Sequence, residues 1–178
     1  MATICIIGAI LLWLIAGWTL FRNQLLSPAI SFLAMLAISY ATTSEGVPLI
    51  PINGTILMSW LGMTLVVMAA TMLQPQPIRM QQRGVGYMLM GALTGMVVGL
   101  IGFTFTLPLQ MLYGIMVIAT LAGLFFGYLF FTRTPQGVNV GLHSGHFFRY
   151  LLAKGFPVAI SVMILGVVLV IYIATQQI

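Results

Sequence analysis

The sequence predicts an all-α fold, a polytopic integral membrane helix bundle of about six transmembrane helices plus one short interfacial helix. Three observations predict it. Six Lys or Arg and one Glu are the only formally charged side chains among 178, 4% of the chain, where a soluble domain has about a quarter. Hydrophobic residues make up 61% and the mean hydropathy is +1.16, so the chain cannot cover itself with a hydrated surface and lipid must be its solvent. The apolar runs are continuous, whereas strands of a membrane barrel alternate apolar and polar over about ten residues.

A spanning helix needs about 20 mainly apolar residues, because the hydrocarbon core is about 30 Å thick and each residue rises about 1.5 Å. Six stretches qualify, approximately 3–21, 25–42, 55–73, 85–104, 107–131 and 156–175. The first has no basic residue ahead of it, unlike a cleavable signal peptide, and reads as a retained span. Its Cys5 has no second cysteine to pair with. The second is the weakest, diluted by Ser27, Pro28, Ser31, Ser39 and Thr42. Between the second and third, Glu45, Gly46, Pro48, Pro51, Asn53 and Gly54 give an ordered, turn-rich connection. Asn53-Gly54-Thr55 matches the glycosylation triplet, which matters only in a eukaryotic secretory route; the compact, Met- and Gln-rich chain reads as bacterial.

After the fifth span, Thr134-Pro135-Gln136-Gly137 signals a turn, and His143-Ser144-Gly145-His146 follows. Residues 146–154 then set aromatics beside cations, which suits a helix lying in the interface. Phe147, Phe148 and Tyr150 would anchor it, with Arg149 and Lys154 near anionic headgroups. Gly155 and Pro157 would break that helix and open the sixth span, where proline fits the first turn. So little chain lies outside the runs that residues 1–178 form a single membrane domain.

Lys and Arg are enriched in loops that stay in the cytoplasm. Arg22 lies between spans one and two, Arg79 and Arg83 between three and four, and Arg133, Arg149 and Lys154 between five and six. All six fall in alternate connections, which six spans with both termini on the outer, periplasmic side of a bacterial inner membrane would give.

Gly91, Gly95 and Gly99 recur every four residues, and Ala119, Gly123 and Gly127 repeat the pattern. Residues four apart share a helix face, so each span shows a groove without side chains that admits another backbone. The expected role is tight packing within the chain or to a partner; the alternative is a pore or sliding interface. Glu45, the lone carboxylate, is a possible ion or proton site if it enters the membrane, but its polar neighbours Thr43 and Ser44 place it at the wet interface. His143 and His146 are the only histidines. Two imidazoles could hold a metal or haem iron, though a structural zinc site takes four ligands and no Cys, Asp or Glu cluster completes one.

Absences narrow the chemistry. Paired carboxylates for acid–base hydrolysis are missing, as are the oxygen ligands that metal-dependent phosphotransfer needs. No glycine-rich phosphate loop with its lysine is present, so no nucleotide is expected. The cations form no dense patch despite a pI near 9.9, so no nucleic acid is expected either. The stretch from Ser27-Pro28-Ala29 through Ile56 to Met68 resembles the small, charge-poor membrane subunit of respiratory complex I, with Trp60 where that family has tyrosine and a longer intervening loop. The resemblance covers about a quarter of the chain and illustrates a class of subunit rather than membership. The expected function is a non-enzymatic accessory subunit of a multi-subunit inner-membrane complex for energised transport, import or ion translocation, with the lipid bilayer and other membrane subunits as partners. The alternatives are a self-contained small transporter or channel, and haem or metal handling through His143 and His146.

Overall fold

The computed structural model describes residues 2–43, 46–75, 84–103, 109–138 and 148–176. Within them the chain is all-α, with no β-sheet and one isolated bridge, Thr42 to Pro48. The elements are α1 (Ala2–Arg22), α2 (Ser27–Ser39), α3 (Gly54–Met72), α4 (Val85–Phe103), α5 (Leu109–Thr132), the single turn α6 (Pro135–Val138), a π-helical turn (Leu151–Gly155) and α7 (Phe156–Gln176). Four helices are long and apolar enough to cross a bilayer: Thr3–Arg22, Gly54–Met72, Met111–Thr132 and Phe148–Thr175. Two more apolar helices, Ser27–Ser39 and Val85–Ile101, are shorter. These are the features of a polytopic membrane protein, with helices at all six expected places and spanning length at four.

The polar residues of the second run explain its shortness. Pro28 fixes the start of α2, and Ser39 turns its hydroxyl back to Leu36 O at 2.7 Å as the helix ends. Thirteen residues rise only about 20 Å. The connection to α3 then turns back on itself. Leu49 N–H donates to Ala41 O at 2.7 Å and Thr43 N–H to Val47 O at 2.8 Å, around Gly46 at φ 78°. Ala41 and Ile50 at its base are buried.

The bundle is built around α7. It touches each of the other five long helices, and 72% of the residues in its most apolar stretch are buried, against 17% for α1 and 22% for α3. It is buried on several sides, most completely at the branched side chains of Val158, Ile164, Val167 and Val170. The helices alternate in direction. Phe21, near the end of α1, lies 3.8 Å from a Cβ built on Gly86 at the start of α4. Thr71, at the end of α3, reaches Leu152. Gly84, at φ 87° before α4, is roofed by the Tyr150 hydroxyl and the Phe131 ring, 2.6 and 2.7 Å from any added Cβ, so both its backbone and its surroundings require glycine. The described cations Arg22, Arg133, Arg149 and Lys154 therefore all belong to one end of the bundle.

Residues 148–154 are the main departure from expectation. They do not form a separate interfacial helix; 148–150 are helical and run through the π-turn directly into α7. Proline causes this. Inside a continuous helix Pro157 would clash with the carbonyl four residues back and gives no N–H. Widening the preceding turn, where Phe156 N–H bonds Leu151 O, relieves the clash without breaking the helix.

Candidate functional site

The two small-residue faces meet each other. A Cβ on Gly91 would run into Gly123 O, one on Gly95 into Ala119 O, and one on Gly127 into Tyr87 O, while one on Gly99 would lie 3.0 Å from Ala119 Cβ. The partner numbers fall as the glycine numbers rise, so α4 and α5 form an antiparallel hairpin in backbone contact. Small residues allow this approach, and van der Waals attraction holds it in lipid. On its outer side a furrow of about 920 Å³ remains, floored by Gly91, Gly95 and Gly123 and walled by Met90, Val98 and Phe126.

Of the expected anchors, Phe148 and Arg149 are exposed, whereas Tyr150 is buried and Lys154 is 1% exposed. Continuity of the helix through the π-turn carries Lys154 and Tyr150 inside the bundle rather than onto its surface. Tyr150 stacks on Phe131 (6.2 Å between centroids, 10° between planes) and leans on Tyr128 at 5.8 Å. Tyr87 adds a further ring at 6.0 Å from Phe131. This aromatic group closes the cation end of α4, α5 and α7.

Above Lys154, α7 carries a polar seam against α1 and α2. Ser27 Oγ donates to Ala16 O at 2.9 Å, and Ser161 lies 3.0 Å from Ser27 Oγ. With the Ser27 proton committed to Ala16, Ser161 is the donor. Gln24 (6% exposed) and Ser31 (1% exposed) lie on either side of Ser27 in sequence, both buried. Among the described residues neither the Gln24 carboxamide nor Ser31 Oγ has a hydrogen-bond partner. On the far side of α7, the Thr71 hydroxyl bonds Val67 O at 2.7 Å and reaches Leu152 O at 3.5 Å. Pro157, five residues on, has no N–H to give that carbonyl.

Glu45, Phe147, His143 and His146 lie outside the described residues, as do Arg79 and Arg83. Among the described residues no three His, Cys, Asp or Glu gather as metal ligands. Sequence reasoning missed Gln24, Ser27, Ser31 and Ser161 as a group. The signal was the polar dilution of the second run, which reads as weakness until α7 is seen packed against it. Comparison with protein families, curated proteins and solved structures finds no match, including to the respiratory subunit that the second and third runs resemble.

Proposed function

We propose that the chain is a non-enzymatic accessory subunit of a larger membrane assembly. The observation that carries this is the contrast in burial between its helices. α7 is enclosed by its own chain, with the glycine faces of α4 and α5 spent on one another. α1, nearly as apolar, and the less apolar α3 turn most of their surface outward, including Leu14 and Trp18 on α1 and Met58 and Val66 on α3. A buried central helix, with no metal-ligating cluster among the described residues, suits a part whose work depends on neighbours, and the bare α1 and α3 surfaces are available to neighbouring spans as well as to lipid. Grouping of Arg22, Arg133 and Arg149 at one end supports a cytoplasmic placement for that end and an outer placement for both termini. Purification in mild detergent from the native membrane tests this: stoichiometric partner chains should accompany it.

A second reading, a small self-contained transporter, is favoured by the buried lysine and polar seam, since ionisable groups inside a membrane bundle mark ion and substrate pathways. Flux in vesicles holding the purified chain alone would support it, and absence of flux for ions and small solutes would count against it.

A further inference from the structure

The furrow on the outer side of the α4–α5 hairpin has two unlike ends. Its mouth lies between Gly86, at the start of α4, and Thr134, just past the end of α5. Its inner end lies at Val98 and Ala119, beside Gly99, which is buried where the two helices close together. From Gly86 to Val98 an α-helix rises about 18 Å, a little over half the bilayer's hydrocarbon thickness of about 30 Å. The furrow thus runs from the cation end to the middle of the membrane and stops there.

Over that length it offers apolar surface. Its floor is bare backbone at Gly91, Gly95 and Gly123, and the walls Met90, Val98 and Phe126 are 60–64% exposed. Thr94, midway along, commits its hydroxyl proton to its own helix, at 2.9 Å from Met90 O and Gly91 O.

The mouth, in contrast, is cationic. Arg133 is exposed and adjoins Thr134. Arg22 follows Phe21, whose ring lies 3.8 Å from a Cβ built on Gly86. The Arg22 guanidinium sits 5.4 Å from the centre of the Trp18 ring, and an exposed tryptophan beside a cation marks headgroup level. Among the described residues there is no carboxylate to neutralise either arginine.

Length and charge together select the occupant. A partner helix crosses both leaflets, whereas this furrow serves one. A wholly apolar guest would gain nothing from two guanidiniums. A phospholipid chain occupies one leaflet, and its phosphate lies at headgroup level, where arginine grips phosphate through paired N–H donors. Basic pockets between helices on the cytoplasmic side hold anionic headgroups by the same chemistry.

We propose that the α4–α5 furrow binds one anionic phospholipid from the leaflet at the cation end. Its acyl chain lies over Gly91, Gly95 and Gly123, and its phosphate is met by Arg133 and Arg22. The site stands whether the chain works alone or within an assembly.

Native mass spectrometry of the detergent-purified chain, titrated with dioleoyl phosphatidylglycerol or dioleoyl phosphatidylcholine, tests this. The first phosphatidylglycerol should bind at least about tenfold more tightly than the first phosphatidylcholine. Arg133→Gln and Arg22→Gln should each weaken phosphatidylglycerol about fivefold, the worth of one basic residue near a charged lipid surface, and leave phosphatidylcholine unchanged. Ala122→Phe, at an exposed furrow position, should block the first lipid of either kind. Leu14→Phe, on the exposed face of α1, should not. In bilayers of the unaltered chain, phosphatidylglycerol with a diazirine on its acyl chain should label Met90 and Phe126 ahead of Leu14, a readout that needs no variant. Equal binding of the two lipids, arginine and Ala122 variants without effect, or labelling spread evenly over α1 and the hairpin would overturn the proposal. So would a photoreactive side chain at position 122 that captures another polypeptide, not lipid, in the native membrane.

Discussion

Ser27 and Ser161, 134 residues apart in the chain, meet through their hydroxyl oxygens at 3.0 Å. This contact pins the first hairpin to the central helix. Ser161→Ala leaves the Ser27 bond to Ala16 O in place and should cost about 0.5–1.5 kcal/mol. Ser27→Ala should cost more, since it removes a bond and strips Ser161 of its acceptor. The double variant should fall short of the sum by about 0.6 kcal/mol, the usual size of such coupling in membrane bundles. Reversible unfolding in mixed micelles measures all three; full additivity would mean the hydroxyls do not interact.

The α4–α5 hairpin should be intolerant where its glycines face one another, whereas glycines with open space beside them should accept alanine. Gly95→Ala puts a methyl against the Ala119 carbonyl and should destabilise by about 1–3 kcal/mol or more. Gly114→Ala and Gly62→Ala have nothing within 4 Å of the added carbon and should be neutral or stabilising by up to about 1 kcal/mol. Thermal unfolding of the three variants side by side checks the contrast.

The two hairpin faces were legible in the sequence because a four-residue repeat of glycine has one geometric consequence, a bare face, and each bare face needs another. The identity of the central helix was not. α1 and α7 are almost equally apolar, and lipid removes the polar side that would mark the outer face of a helix in water. The burial of Lys154 was hidden for a related reason. A cation ahead of a glycine and a proline reads as the edge of a span, and only the π-turn, which keeps the helix intact past Pro157, draws it inward. The length of α2 was half visible, since Ser27, Pro28, Ser31 and Ser39 weakened that run without showing that the helix would stop at Ser39.

Pro157 and Thr71 should be coupled through the Leu152 carbonyl. Thr71→Val removes the hydroxyl that approaches it at 3.5 Å and should cost about 0.5–1.5 kcal/mol. Pro157→Ala restores a backbone N–H, so Thr71→Val should cost less in that background. Equal costs in both backgrounds, measured by the same micelle unfolding, would show that the freed carbonyl does not depend on Thr71.

Lys154 sets a sign that a surface lysine would not. Lys154→Met removes a buried charge and keeps an unbranched apolar side chain, so it should be neutral or stabilising. A residue at the interface with headgroups would instead lose its anchoring. Arg149→Met, at an exposed position, is the comparison: membrane retention or orientation should suffer there and not at Lys154. Thermal stability together with protease accessibility of the two ends in sealed vesicles separates the cases.

The most direct test of the proposed role is native mass spectrometry of the chain solubilised in mild detergent from its own membrane at its natural level. A mass that contains other membrane chains in fixed ratio is the expected result. A monodisperse species of this 19.3 kDa chain alone, or of its copies alone, that carries solute flux when placed in vesicles would contradict it.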